Sequence, residues 1–347
     1  MLTSSLSNKR NWVKHHQIFS KGFIGFFLIL QLSQSFGQDA SFSQFYANPL
    51  YLNPALAGTG ECSRIMLNYR NQWPALPNAF VTYSASADYY VEALSGGVGL
   101  LFNSDNLGNG AITTNRISAI YSYHLKLSGD ADLNAGFEAT YHMQKLNWDK
   151  LVFQDMIDPV TGNINPGISG EAIPSKLSVS ALDFSGGLLL GIRKKFYLGF
   201  AVDHLTQPNL SYYAENESPL FLKYTAHLGM TLDLGGRSYR NNSGNFILSP
   251  NILYQQQQNA RQLNAGFYVE KQPITIGFWY RHNFSNPDGV LFSIGLKQKK
   301  FRLGYSYDLT LSKLKSNTGG AHELSLAFLV NCNNKRNKPG AIKCPEF

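Results

Sequence analysis

Apolar and polar residues alternate along most of this chain, in segments of roughly ten residues between Ala79 and Val330. In residues 133–143, one register reads Leu, Ala, Phe, Ala, Tyr, Met, whereas the other reads Asn, Gly, Glu, Thr, His. Residues 117–127 and 301–310 show the same alternation. Successive side chains of a β-strand point to opposite faces, so each segment predicts a strand with one apolar and one polar face. This pattern is typical of a transmembrane β-barrel, whose outer face contacts lipid.

Counting the segments between turn residues predicts an all-β fold, a transmembrane antiparallel β-barrel of about fourteen strands. The even number agrees with bacterial single-chain barrels. A secreted β-sandwich shares the alternation and the turn residues, but it explains less well why so many segments have one very apolar and one very polar face. The predicted strands lie at 64–71, 79–90, 96–104, 112–127, 131–146, 178–193, 196–205, 223–235, 245–258, 262–270, 273–284, 289–300, 301–310 and 320–330.

The links between these strands predict the orientation of the barrel, because barrels of this kind have short periplasmic turns and longer outer loops. The links after the second, fourth, sixth, tenth and twelfth strands are short, whereas those after the fifth and seventh cover about 147–177 and 206–222. This order predicts that both ends of the barrel lie in the periplasm. Two links fit less well, since 236–244 is long for a turn and 259–261 is short for an outer loop.

The first 37 residues are typical of a secretory signal peptide. Four basic residues precede or flank a short apolar stretch at 22–32, and Ser35-Phe36-Gly37 supplies small residues for cleavage. We therefore expect export and a mature chain that begins at Gln38. The predicted organisation is a signal peptide at 1–37, an N-terminal periplasmic or plug segment at 38–63, the barrel at 64–330 and a C-terminal extension at 331–347.

The predicted N-terminal segment is both polar and aromatic, and its two Asn-Pro steps at Asn48-Pro49 and Asn53-Pro54 disfavour a regular helix or a central strand. Such a segment either folds into the barrel lumen as a plug or lies across the periplasmic mouth. Its apolar residues favour a packed segment over a disordered leader. The residues predicted to form or support the plug are Phe45, Tyr46, Asn48, Pro49, Asn53, Pro54, Arg70 and Trp73.

The composition agrees with a membrane barrel. Charged residues make up 15% of the chain and aromatic residues 13%, and a soluble domain has roughly 25% charged residues. The net charge of the whole chain is +8, but without the predicted signal peptide 26 basic and 22 acidic residues remain, which gives +4. This charge is too small to indicate a nucleic-acid partner.

The sequence shows no motif for catalysis, a cofactor or a metal: a phosphate-binding glycine loop, HExxH, a CxxC pair and Gly-x-Ser-x-Gly are all missing. We therefore expect neither an enzyme nor a cofactor. Asp149, Asp155 and Asp158 lack the spacing of an EF-hand and are interpreted as part of a solvated loop. The histidines of the predicted mature chain show no metal-ligand spacing and are interpreted as polar lumen or rim residues; they are His124, His142, His204, His227, His282 and His322.

Three cysteines remain after the predicted cleavage, Cys62, Cys332 and Cys344. In an oxidising compartment, Cys332 and Cys344 would close a short C-terminal loop and leave Cys62 unpaired. A bond from Cys62 to either partner stays open, because connectivity does not follow from sequence.

The connection at 147–177 holds an unusual number of apolar residues for a loop. Such residues are frequent at partner surfaces, although packing of the loop onto the barrel rim explains them equally well. The candidates for partner binding are Trp148, Leu151, Val152, Phe153, Met156 and Ile157.

Several stretches, in this order, resemble the PorP/SprF family of the type IX secretion system of Bacteroidetes. They are QFYANPLYLNPALAG at 44–58, YRNQWP at 69–74, HLTQP at 204–208, YDLT at 307–310 with GGAHE at 319–323, and the closing CPEF at 344–347. The resemblance covers essentially the whole predicted mature chain.

This resemblance implies an outer-membrane barrel that takes part in protein secretion, surface attachment of adhesins or gliding motility. The implied partners are a secreted adhesin or its type B C-terminal domain, periplasmic ring or peptidoglycan-binding components, and outer-membrane lipid. A core role and a substrate-specific role both remain open. The alternative is a passive or substrate-selective outer-membrane channel, which would need an open lumen.

Overall fold

The structure is a computed structural model that describes residues 39–76, 79–165, 169–234, 246–284, 287–311 and 318–332. The predicted signal peptide, its cleavage before Gln38, and Cys344 with most of the predicted C-terminal extension lie outside the described residues. From Ala40 onward, the described residues belong to one compact unit.

Fourteen antiparallel strands form the wall of the molecule. Their bounds are β1 Ser63–Gln72, β2 Phe80–Val91, β3 Gly96–Leu107, β4 Ile112–Lys126, β5 Ala131–Leu146, β6 Ser178–Ile192, β7 Phe196–Asp203, β8 Lys223–Met230 with Leu232–Asp233, β9 Ile247–Gln257, β10 Ala260–Lys271, β11 Ile274–His282, β12 Pro287–Lys297, β13 Phe301–Thr310 and β14 Ala321–Val330.

Each strand pairs with the next, and β14 pairs with β1 from Ser63↔Val330 to Gln72↔Ala321. The sheet is therefore a closed barrel, and the predicted fold class is confirmed. Closure matters because an open sheet edge within a bilayer would leave backbone N–H and C=O groups without partners.

The eighth strand is interrupted at Thr231, although its register to β9 continues from Gly229↔Asn251 to Leu232↔Leu248. In this register Pro250 lies opposite Met230, the residue just before the interruption. Proline has no N–H to donate to the ladder, which explains the gap. The next link is the short Gln258-Asn259, so the two unusual links do not change the count of fourteen.

The two faces of the wall differ as the alternation predicts. In β5, Phe137 and Tyr141 are 51% and 42% exposed on the outside, whereas Glu138 and His142 are buried on the inside. In β13, Leu303 is exposed on the outer face. The outer face thus presents apolar side chains for lipid along the strands. Among the described residues, no helix has both the length and the apolar character needed to cross a bilayer.

The two ends of the barrel differ in their connections. The connections 147–177 and 204–222 lie at one end, which we call the long-loop end. Most links at the opposite end are short, such as 127–130 and 193–195, and we call it the short-turn end. The connection 234–246 at this end is the exception.

The segment before β1 lies inside the barrel, which is one of the two positions that the sequence allowed. It contains three short helical turns, Phe45–Ala47, Pro49–Leu52 and Pro54–Leu56. We call residues 40–60 the bore segment. Its first residues contact the long-loop end of the wall, and its last residues contact the short-turn end, just before the chain enters β1.

One side of the inner wall is apolar where the bore segment lies against it, unlike the polar interior expected of a water-filled barrel. Phe45 packs edge-on against Trp279, with ring centroids 5.2 Å apart, and Tyr46 packs against Tyr197 at 5.9 Å. These inner residues face protein rather than water, which explains their apolar character. The buried apolar residues of this cluster are Phe45, Tyr46, Ala47, Leu52, Ala55, Leu56, Leu189, Tyr197, Leu253, Tyr268, Trp279 and Leu291.

The disulfide in the structure joins Cys62 to Cys332, so the expected pairing of Cys332 with Cys344 is wrong. The reason is barrel closure: β1 and β14 are neighbours, and their ladder ends at Ser63↔Val330. The two cysteines extend this ladder by one or two residues, and their Cα atoms are 4.5 Å apart.

We predict that Leu100→Arg strongly destabilises the barrel. Leu100 is 64% exposed near the middle of the outer face of β3, and an arginine facing the bilayer midplane costs about 2–4 kcal/mol. Urea unfolding in lipid bilayers, followed by tryptophan fluorescence, measures the loss.

The matched control is Val160→Arg, because Val160 is 91% exposed in the loop 147–177. Its free energy of unfolding should change by no more than about 0.5 kcal/mol. Equal effects of the two variants would contradict a lipid-facing outer surface at Leu100.

Candidate functional site

A buried ionic cluster fixes the beginning of the bore segment at the long-loop end. The Glu323 carboxylate accepts the backbone N–H groups of Ser43 and Gln44, with N to O distances of 2.7 and 3.0 Å. The Arg70 guanidinium donates to the same carboxylate at 3.2 Å and also to the Ser43 hydroxyl. We call Ser43, Gln44, Arg70, Asp308 and Glu323 the latch.

Each charged group of the latch has a partner of opposite charge within the bore. The Asp308 carboxylate accepts two bonds from the Arg281 guanidinium, at 2.6 and 2.9 Å, and lies 3.5 Å from Arg70. Arg281 also donates to the partly exposed Asp288 carboxylate, so the two guanidinium groups pair with three carboxylates in all. A buried charge is very costly without a partner, so the cluster holds these groups and the attached bore segment in one arrangement.

Asn53 fixes the middle of the bore segment. Its side-chain amide donates to the carbonyl oxygens of Leu188 and Phe200, at 3.1 and 3.3 Å, and its Oδ1 accepts the N–H of Ala55 at 2.9 Å. One side chain therefore caps the following helical turn and joins it to β6 and β7.

Two wall glycines allow this close approach. A Cβ at Gly136 would lie 2.7 Å from the Ala55 Cα atom, and a Cβ at Gly187 would lie 3.0 Å from the Asn53 side-chain carbon. Cβ atoms essentially never lie closer than 3.0 Å to another heavy atom, and a Cβ at Gly187 would come closer than that to the Asn53 Oδ1 atom. The bore segment thus sits against the wall where side chains are missing.

A second ion pair holds the end of the bore segment near the short-turn end. Arg64 and Asp88 pair at 2.6 Å, and the same carboxylate accepts the N–H of Gly58 at 2.7 Å. Nearby, the Ser122 hydroxyl donates to the Ala55 carbonyl at 3.1 Å. The wall therefore satisfies backbone polar groups of the bore segment from end to end, as buried polar groups require.

The residues predicted to form or support a plug lie mostly together. Six of them belong to the bore segment, and Arg70 contacts it through the latch. Asn48, for example, donates to the Ser84 hydroxyl at 2.9 Å. Trp73 lies elsewhere, in the turn after β1. Its backbone N–H donates to the Gly320 carbonyl, and its ring packs against Phe80.

The residues predicted to bind a partner separate into two groups in the loop 147–177. Val152 and Ile157 are 49% and 41% exposed. Trp148, Leu151, Phe153 and Met156 are half-buried, and the rings of Trp148 and Phe153 pack with centroids 4.8 Å apart. Part of this apolar set therefore packs within the loop, and part of it faces outward.

The two long loops contact one another. The Tyr213 hydroxyl donates to the Ala172 carbonyl at 3.4 Å, and the Ser175 hydroxyl donates to the Tyr212 carbonyl at 3.3 Å. Burial raises the pKa of the Tyr212 phenol to about 12. We call the described residues of 147–177 and 204–222 the loop surface. Its exposed large apolar residues include Val152, Ile157, Val160, Ile164, Ile173, Leu205 and Tyr213.

The structure also brings together three residues that sequence spacing did not connect, His142, Asp183 and His204. All three are buried inside the barrel below the loop surface, and their potential ligand atoms lie within 4.8 Å of one another. The alternation predicts that both His142 and Asp183 point inward. Only the pairing of β5 with β6, which the sequence does not give, shows that they are neighbours.

The family model described as type IX secretion system membrane protein PorP/SprF matches residues 34–328. Among curated proteins, none matches the sequence.

Similar solved structures are other membrane barrels. They include the outer membrane protein Omp33 of Acinetobacter baumannii (8% identity, 77% of this chain and 97% of that chain, TM-score 0.42) and two toluene transporters. One is TbuX of Ralstonia pickettii, with 11% identity over 84% of this chain and 95% of that chain and a TM-score of 0.46. The other is TodX of Pseudomonas putida, with 12% identity over 84% of this chain and 94% of that chain and a TM-score of 0.41. Because all three TM-scores are below 0.5, nothing about the function of this chain follows from these similarities.

We predict that Glu323→Gln destabilises the protein by about 3–5 kcal/mol, the usual cost of removing one partner of a buried ion pair. The variant leaves Arg70 with less compensating charge inside the bore. The free energy of unfolding in detergent micelles measures the effect.

The matched control is Asp130→Asn, which breaks the solvent-exposed pair of Asp130 and Arg193. This change should cost no more than about 1 kcal/mol. Similar losses in the free energy of unfolding for both variants would show that the latch does not stabilise the protein.

Proposed function

Because the chain belongs to the PorP/SprF family of type IX secretion system membrane proteins, we propose that it acts in the outer membrane as a plugged anchor of that system. In this role the barrel binds a secreted protein at its loop surface, and its short-turn end faces the periplasmic secretion or gliding apparatus. The chemistry is recognition, and none of its steps needs a catalytic group.

The filled bore is the observation that supports an anchor most directly. Charged groups hold the bore segment at both ends, and Asn53 holds it in the middle. Aromatic side chains fill the space between the bore segment and β7, β10 and β11. A passive or substrate-selective channel would have to displace all of these contacts.

The loop surface supports the binding role. Val160, Ile164 and Ile173 are 91%, 54% and 64% exposed in the loop 147–177, and exposed apolar residues are frequent at protein-binding surfaces. Long loops of outer-membrane barrels lie outside the cell, where a secreted adhesin with a type B C-terminal domain arrives. A signal peptide cleaved before Gln38 would deliver the chain to this membrane.

We predict that the intact mature protein conducts little in planar lipid bilayers, because the bore segment blocks the lumen. Deletion of 40–58 should produce stable channel-sized current steps. The matched control deletes 159–163 from the loop 147–177 and should leave the current low. Large currents from the intact protein would favour the channel and exclude a plugged anchor.

We predict that the double variant Ile164→Asp, Ile173→Asp captures much less of the secreted protein than the unchanged barrel does. Burying a carboxylate in an apolar interface is unfavourable. Affinity capture from native outer membranes, with mass spectrometry of the bound proteins, gives the readout.

The matched control is Leu94→Asp, because Leu94 is 50% exposed in a turn at the short-turn end. It should retain the secreted protein, identified by its type B C-terminal domain. If the loop variant and the control capture such a protein equally well, the loop surface is not its binding site.

A further inference from the structure

Three buried side chains converge below the loop surface. The Nδ1 atom of His204 lies 2.6 Å from Oδ2 of Asp183, and the Nε2 atom of His142 lies 3.5 Å from the same oxygen. The three side chains are 1–4% exposed. Two imidazole nitrogens and one carboxylate oxygen thus face a common point from three neighbouring parts of the wall.

The other oxygen of the Asp183 carboxylate is held in place. Its Oδ1 accepts the Thr206 hydroxyl at 2.7 Å and the N–H of Phe184 at 2.8 Å. These donors orient the carboxylate so that Oδ2 turns toward the two histidines. A polar partner behind a ligating carboxylate is a regular feature of metal sites, because it fixes the geometry of the ligand.

The local chain provides this geometry. His142 and Asp183 lie on the paired strands β5 and β6, where Asp183 faces Thr140 and is therefore a diagonal neighbour of His142. His204 follows the last residue of β7 and has a positive φ of 64°. That conformation is uncommon for a residue with a side chain, and here it accompanies a ring bonded to Asp183.

We propose that His142, Asp183 and His204 bind a divalent transition metal ion, of which Zn²⁺ is the best match. Imidazole nitrogen and carboxylate oxygen are both regular zinc ligands, and a set of two histidines and one carboxylate leaves a fourth position for water or another donor. The ligand atoms in the structure lie close enough together for a single ion to contact all three after small side-chain movements.

The position of this site gives it a structural consequence. His142 lies four residues before the end of β5, where the loop 147–177 begins, and His204 opens the loop 204–222. One ion therefore joins the bases of both loops that form the loop surface. Zinc binding should increase the protection of amide hydrogens in both loops against exchange.

The test uses the untagged mature protein in detergent, freed of metal with a chelator and titrated with zinc chloride. We expect about one zinc ion per chain. Asp183→Asn and His204→Gln should each weaken binding by at least about 100-fold, because changes to outer partners of a metal ligand already cost about 10–100-fold. The matched control is His124→Gln, which removes another buried lumen histidine and should bind zinc as the unchanged protein does.

Two further measurements keep the test decisive if a ligand variant fails to fold. Thr206→Val removes the hydroxyl that donates to Asp183 and should weaken zinc binding about 10–100-fold. Thr206→Ser keeps a hydroxyl at this position and should bind zinc as the unchanged protein does. Cobalt chloride added to the unchanged protein should give the visible absorption bands of a cobalt ion with nitrogen and oxygen ligands.

The opposite results would show that the three residues form only a hydrogen-bonded cluster. These results are substoichiometric zinc in the unchanged protein, equal zinc affinity in Thr206→Val and Thr206→Ser, or no cobalt bands. Any one of them overturns the proposal. The secretion role does not depend on the ion, so this failure would leave the proposed function untouched.

Discussion

The whole structure depends on the hydrogen bonds between the first and last strands. A membrane offers no water to an unpaired strand edge, so a sheet of this kind is stable in a bilayer only when the edges meet. Here the ladder from Ser63↔Val330 to Gln72↔Ala321 completes the circle. The apolar outer face, the enclosed interior and the difference between the two ends all follow from this closure.

Closure creates a second problem, because the wall of fourteen strands surrounds a wide interior. The bore segment fills it with protein, and its backbone must then find polar partners inside the wall. Glu323 supplies them at the beginning of the segment, Ser122 at Ala55 and Asp88 near the end. The polar inner face is therefore less a channel lining than a set of docking groups for one stretch of the same chain.

The sequence predicted the strands well because alternation is a local signal. It directs Phe137 outward and Glu138 inward without any knowledge of the neighbouring strands. Pairs between distant positions are different. His142 and Asp183 meet only through the register of β5 and β6, and Cys62 meets Cys332 only because the barrel closes. Loops lack alternation altogether, so the sequence did not separate the half-buried Trp148 from the exposed Val152.

The latch crosses the junction between the last and first strands from within. Ser43 and Gln44 bind Glu323 on β14, and Arg70 on β1 reaches the same carboxylate. β14 is the last strand of the wall, and it closes the barrel against β1. The final strand thus meets side-chain acceptors and donors as well as a free backbone edge. Substitutions at Ser43 or Arg70, which are buried inside the barrel, should therefore weaken from within the junction that makes the sheet a cylinder.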